Sequence, residues 1–195
     1  LLPYRDLLGI DLAVDYLFRA LYDQKHILIV GDYDVDGASS TALMVRVLRA
    51  FGVEQIDFLV PNRFKQGYGF SPALFELALQ YKPDLIVTVD NGISSVQAIA
   101  LANEHHIPVI VTDHHLSGEI LPQAAAIVNP NQPNDKFCSK NLAGVGVAFY
   151  VLVALRAKLR EQHWFAEKNI PEPNLAHYLD LVALGTVADI VKLDQ

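Results

Sequence analysis

A chain of 195 residues, 52% hydrophobic and 19% charged, can build one substantial core and is unlike a disordered or fibrous sequence. Its formal charge of −7 carries no whole-surface basic footprint for nucleic acid, although bound divalent cations would invert the potential around Asp32, Asp34, Asp36, Asp90, Asp113 and Asp189. The single cysteine, Cys138, excludes an internal disulfide framework and fits a reducing cytosol; with no evident basic neighbourhood it is expected to pack rather than react.

The chain opens on Leu1 rather than Met and reads as a piece of a longer protein, with no signal-peptide pattern at its start and a cytoplasmic location as the expectation. Residues 1–26 are expected to form a helical lead-in. From Ile27 the pattern repeats apolar run, turn and amphipathic stretch: Ile27 to Val30 then Ala38 to Ala50, Ile56 to Val60 then Pro72 to Tyr81, Leu85 to Val89 then Val96 to His105, and Val109 to Thr112. Such alternation predicts an α/β fold, a mainly parallel doubly wound sheet flanked by helices, over 27–128. Ser71 before Pro72, and Ser94 with Ser95, are predicted helix starts. Ala124 to Val128 adds an edge strand before a loop from Pro130 to Lys140. A helical segment then fills 141–195, with Leu142 to Arg160 and Leu175 to Val191 as its helices. The apolar stretch Leu142 to Leu155 is too short for a bilayer, which needs about 20 residues, so no membrane partner is expected.

Three of the predicted strands end in chemistry. Ile27 to Val30 runs into Gly31-Asp32-Tyr33-Asp34-Val35-Asp36-Gly37, Leu85 to Val89 into Asp90-Asn91-Gly92, and Val109 to Thr112 into Asp113-His114-His115. Carboxyl ends of parallel strands form the ligand crevice of an open sheet, so these segments are expected to meet there as a divalent metal site. A calcium loop of EF-hand type is excluded because its twelfth position, counted from Asp32, is Leu43. For one Asp after a strand a helix cap is the commoner role; three such sites on one edge favour metal. Neighbouring residues of an extended chain point opposite ways, so one of His114 and His115 can bind metal while the other faces substrate. Asp113 is a candidate for fixing the ligating imidazole's tautomer. Asp189, alone in an apolar helical stretch, needs a partner or an ion if buried. The remaining histidines, His26, His105, His106, His163 and His177, read as surface or helix-end residues.

The opening motif, Val89-Asp90-Asn91-Gly92-Ile93-Ser94, Thr112-Asp113-His114-His115 and Gly185-Thr186-Val187-Ala188-Asp189, in this order, resemble the four motifs of the DHH phosphoesterase superfamily. The segments from Pro61 to Gly69 and from Lys140 to Phe149 are similar to its single-strand exonuclease branch. The resemblance implies 5′ to 3′ hydrolysis of single-stranded DNA to mononucleotides in recombination and repair, with two Mn²⁺ or Mg²⁺ ions. It implies Asp36, Asp90, His114 and Asp189 around one ion, Asp34 and Asp90 around the other with Asp32 as a further partner, and His115 facing the scissile phosphate. Val30 stands where many members carry a His, which leaves the second ion poorer in ligands.

Arg63 and Lys65 fit phosphate contact or plain solvation, and Tyr68 fits base stacking or core packing. Gly144 and Gly146 fit a phosphate-binding helix start or close helix packing. The resemblance also implies that full-length relatives add a smaller domain and an oligonucleotide-binding fold, neither of which is expected within these 195 residues. Single-strand-binding protein and a helicase are expected partners of the whole protein, and a monomer is the expected state. The rival functions are a manganese pyrophosphatase, a phosphodiesterase for short oligonucleotides or cyclic dinucleotides, and a non-catalytic DNA-binding scaffold.

Overall fold

Among the described residues five strands, β1 (Ile27–Val30), β2 (Ile56–Leu59), β3 (Leu85–Val89), β4 (Val109–Thr112) and β5 (Ala126–Val128), are all parallel and lie in the order β2-β1-β3-β4-β5. The computed structural model describes residues 1–62, 67 and 69–193. Every residue of β1, β3 and β4 is buried, the pattern of strands covered on both faces, whereas β2 is an edge strand with Phe58 exposed. The order reverses at β1, so the crevice between the carboxyl ends of β1 and β3 is the topological switch point where such sheets bind ligands.

The helices are α1 (Ile10–Tyr22), α2 (Val35–Ala50), α3 (Pro72–Ala78), α4 (Val96–Glu104), α5 (Gly144–Glu161), α6 (Trp164–Glu167) and α7 (Leu179–Ala188). One face of the sheet packs Leu28, Val30, Ile86, Val109 and Val111 with Phe70, Phe75, Ala98 and Ile99, so α3 and α4 cover it. The larger cluster on the other face joins α1, α2 and α5 through Leu17, Leu43, Phe51, Val147 and Leu155. Residues 1–26 thus contribute a core helix. Gly9 enters α1 with φ 81°, and a Cβ there would run into the Ile127 carbonyl.

Local chemistry explains where the elements start and stop. Ser71 caps α3 by accepting from the Leu74 amide at 3.2 Å, with Pro72 in the first turn. Ser95 occupies the N-cap position of α4, where the helix start is expected, but its side chain makes no capping hydrogen bond. The stretch Pro72 to Tyr81 splits into α3 and a 3-10 turn, Leu79–Tyr81. Likewise Leu175 to Val191 divides into a 3-10 turn, Leu175–Tyr178, and α7, beyond which Ile190 adopts φ 57° and stops the helix. Cys138 is exposed rather than packed, because its neighbour Phe137 takes the buried position as the loop passes over the core. Among the described residues no helix is long and apolar enough to cross a membrane.

Among the α-helices, α7 has the smallest buried share. Only Gly185 of α7 is fully buried, and Leu184, Val187, Ile190 and Leu193 present apolar side chains to solvent.

Candidate metal centre

The carboxyl ends of β1, β3 and β4 deliver Asp32, Asp34, Asp36, Asp90, Asp113, His114 and His115 to one place, and the end of α7 adds Asp189. Among the described residues three groups have potential ligand atoms within 4.8 Å of one another: Asp36 with His114 and Asp189, Asp90 with His114 and His115, and Asp32 with Asp34 and Asp90. Asp90 and His114 each belong to two of them, so the groups are contiguous.

Each side chain has a local reason for its place. Asp34 caps α2, accepting from the Gly37 amide at 2.8 Å, so the helix-cap role and the site role fall on the same residue. Asp36, in the first turn of α2, accepts from the Gly144 amide at 2.6 Å and the Val145 amide at 2.9 Å. The N-terminus of α5 therefore holds a carboxylate of the cluster, as the helix dipole favours. This corrects the option of a phosphate-binding helix start, since its leading amides are taken, and Gly146 donates to the Ala143 carbonyl. Asp90 leaves β3 with φ 61°, a left-handed conformation that Asp and Asn tolerate better than most residues. Asp189 sits at the C-cap of α7, where the helix dipole disfavours an anion, so a nearby cation is the natural counterweight.

His114 Nε2 lies 3.1 Å from Asp90 Oδ1, 3.6 Å from Asp189 Oδ2 and 3.8 Å from Asp36 Oδ2. Both His114 Nε2 and Asp90 Oδ1 are buried without a hydrogen bond. An orphaned buried polar atom costs about 1–3 kcal/mol. A cation between the two would satisfy both atoms, and the oxygen and imidazole donors fit a hard or borderline divalent ion.

The charge states point the same way. Burial, then the neighbouring Asp36 and Asp34 carboxylates, push the Asp90 carboxyl up to about 10. Burial also raises Asp36, against the lowering effect of the Val145 and Gly144 amides. Burial alone would raise Asp113, but the His115 imidazole and the amides of Ile93 and His115 outweigh it and hold this carboxyl below its ordinary value. His115 is raised in turn, chiefly by its hydrogen bond to Asp113.

Asp113 Oδ1 meets His115 Nδ1 at 2.7 Å and accepts from the His114 amide at 2.7 Å, while its Oδ2 accepts from the Ile93 amide at 2.9 Å. It thus orients the imidazole of His115 and only the backbone of His114, a different division from the one expected for a ligating histidine. His115 borders a cleft of about 430 Å³ whose walls include Phe70, Ser71, Asn91, Ile93 and Ser95. Val30, at the end of β1, is buried in the apolar cluster on the α3 and α4 face. Arg63, Lys65 and Tyr68 lie outside the described residues.

Two glycines of the site were not assigned to it from sequence. A Cβ on Gly144 would lie 2.6 Å from Asp90 Oδ1, and one on Gly185 would lie 2.6 Å from Asp36 Oδ1 and 2.7 Å from Val145 Cγ1. A glycine inside the apolar helical run around Leu184 was the available signal, because it costs a helix about 1 kcal/mol relative to alanine. Gly144→Ala is therefore expected to displace the Asp90 carboxylate and weaken cation binding at least tenfold, with destabilisation of about 1–3 kcal/mol from overpacking. Cation titration and denaturant melts of the variant check both effects, and wild-type affinity would show that the site accommodates the methyl group.

The sheet and its cluster define a DHH-type domain: the model of the DHH family, N-terminal domain, matches residues 26–186, and the chain belongs to that family. Over its full length it is 57% identical to the single-stranded-DNA-specific exonuclease RecJ of Salmonella typhimurium and 56% identical to RecJ of Escherichia coli, spanning 34% of each. Its fold is similar to a crystal structure of exonuclease RecJ bound to manganese, with TM-score 0.80 and 36% identity over 95% of this chain and 44% of that one. RecJ of Thermus thermophilus in complex with Mn²⁺ gives TM-score 0.74 and 34% identity over 94% of this chain and 24% of that one.

Proposed function

We propose that this chain carries the catalytic centre of a single-stranded-DNA-specific exonuclease, which hydrolyses phosphodiester bonds from the 5′ end and releases 5′-mononucleotides in recombination and repair. The observation that carries the reading is the contiguous ligand cluster built around Asp90 and His114. Its setting is a chain that resembles RecJ exonucleases along its whole length.

Two Mn²⁺ or Mg²⁺ ions are assigned to it. Asp36, Asp90, His114 and Asp189 would hold one, Asp34 and Asp90 with Asp32 would hold the other, and Asp90 would serve both. Divalent ions held there would supply acidification of a water near neutral pH and charge compensation on a phosphodiester. Asp113 fixes His115 so that its imidazole, kept cationic to higher pH by that carboxylate, meets a phosphate oxygen from the cleft side. Arg63 and Lys65 are assigned to phosphate and Tyr68 to base stacking. The unit works as part of a longer, monomeric cytoplasmic protein whose other domains complete the DNA clamp and meet single-strand-binding protein and a helicase.

Digestion of 5′-labelled and 3′-labelled single strands tests the proposal. The expected result with Mn²⁺ is early release of labelled mononucleotide from the 5′ end, slow for this chain alone. Blunt duplex should resist, and salt should weaken binding as phosphate contacts release counterions. Rapid cleavage of pyrophosphate with single-stranded DNA untouched, across Mn²⁺ and Mg²⁺ concentrations, would replace this reading with the pyrophosphatase.

A further inference from the structure

The backbone carrying the two histidines is gripped from the side opposite Asp113. Directly after β5, whose Val128 carbonyl accepts from the Asp113 amide, the chain turns through Asn129-Pro130-Asn131. The Asn129 Nδ2 donates to the His115 carbonyl at 2.9 Å, and the Asn131 Nδ2 donates to the His114 carbonyl at 2.5 Å. Neither amide can be reversed without loss. Asn129 Oδ1 already accepts from the Asn131 backbone amide at 2.7 Å, and the Asn131 Nδ2 also points to the Lys140 carbonyl at 3.3 Å. Asn129 is fully buried and Asn131 partly so.

The turn is itself tied down. Gln132 donates to the carbonyls of Leu8 and Ile127, and Lys140 binds the Asp135 carboxylate at 2.7 Å and the Pro130 carbonyl at 2.6 Å. Asp135 also accepts from the Leu8 amide at 2.7 Å. The strap from Asn129 to Lys140 is thereby fastened to the start of α1 as well as to the sheet.

From this geometry we infer that Asn129 and Asn131 are positioning residues for the metal centre, setting the peptide planes of His114 and His115 so that their imidazoles reach the ion and the phosphate separately. The two rings lie with centroids 4.5 Å apart and tilted by 55°, so a rotation of the peptide between them would redirect both. Asp113 holds the amide side of this segment and the asparagines hold its carbonyl side. Neither asparagine is a ligand, and each acts through a histidine. Outer partners of metal-binding histidines commonly change affinity by about 10–100-fold when removed.

The inference rests on the metal-centre reading above, and one titration separates the two. Mn²⁺ is titrated into the metal-free chain and free ion is followed by its paramagnetic resonance signal, alongside melting temperature in chelator. Asn131→Asp, which sets a carboxylate oxygen against the His114 carbonyl, is expected to weaken Mn²⁺ binding about tenfold or more. Asn129→Ala and Asn131→Ala are expected to weaken it severalfold while remaining folded, which covers the case in which the aspartate variant fails to fold. Asn134→Gly, an exposed residue of the same loop already at φ 67°, should bind as wild type. Wild-type affinity in folded Asn129→Ala and Asn131→Ala overturns the positioning role, as does an equal loss in Asn134→Gly. Absence of Mn²⁺ binding by the unaltered chain would instead overturn the metal-centre reading, and this inference with it.

Discussion

Asp90→Asn is expected to lower hydrolysis by about 1,000-fold or more, equivalent to roughly 4 kcal/mol of transition-state stabilisation, while leaving the fold intact or firmer. The activity argument is positional. Asp90 belongs to two of the three ligand groups and its buried Oδ1 faces His114 Nε2, so an amide there subtracts charge from both halves of the cluster.

The stability argument follows from protonation. In the folded chain burial, then the Asp36 and Asp34 carboxylates, push the Asp90 carboxyl up to about 10 from an ordinary value of 3.8. Between those values the folded state keeps a proton that the unfolded state has lost, so stability falls as pH rises from near 4 toward 10. Asparagine matches the protonated carboxyl in shape, accepts the φ of 61°, and removes that dependence. Melting in chelator at about pH 5, 6.5 and 8 should show the variant gaining on wild type as pH rises, and assays with Mn²⁺ should show the lost turnover. Wild-type turnover would remove Asp90 from its bridging role.

The second large effect is stabilisation by the ion itself. With Mn²⁺ at about 100 times its dissociation constant, binding to the native state alone contributes roughly 2.7 kcal/mol. For a chain of this size that corresponds to a rise in melting temperature of about 5–11 °C. NaCl at matched ionic strength should do much less, since mobile salt screens exposed charges and reaches buried Asp32, Asp36 and Asp90 poorly. Chelator should reverse the shift. Equal effects of the two salts would show that the cluster does not select a divalent ion in its folded form.

How far the amino-acid sequence discloses such a site depends on whether the signal is local. The apolar runs of β1, β3 and β4 are unbroken because both faces are covered, so their ends, and the acids just beyond them, stand out. The doubly wound architecture follows from the same alternation. Part of what escaped was set by partners far apart in sequence, and part by side-chain reach and backbone conformation that the residue order does not display. The capture of Asp36 by Gly144 and Val145 spans more than 100 residues and removes the phosphate-binding option for that helix start. The choice of His115 over His114 by Asp113 depends on side-chain reach within the folded turn. The left-handed backbone of Asp90 leaves no mark in composition, and the grip of Asn129 and Asn131 looked like ordinary loop chemistry. Gly185 alone had a readable trace, a glycine in a helix that should prefer alanine.

The uneven anchoring of α7 gives the site a reciprocal character. Most of the donors ride on the sheet edge or the first turn of α2, but Asp189 arrives on a helix with one fully buried residue and an apolar flank in solvent. With Asp189 as a ligand, docking of that helix and uptake of an ion near His114 would be one coupled equilibrium. By thermodynamic linkage, anything that presses α7 onto α2 and α5 tightens ion binding by the same factor with which the ion secures the helix. Affinity at this centre would then depend on how α7 is covered as much as on the donors themselves, so a surface distant from any ligand would tune it.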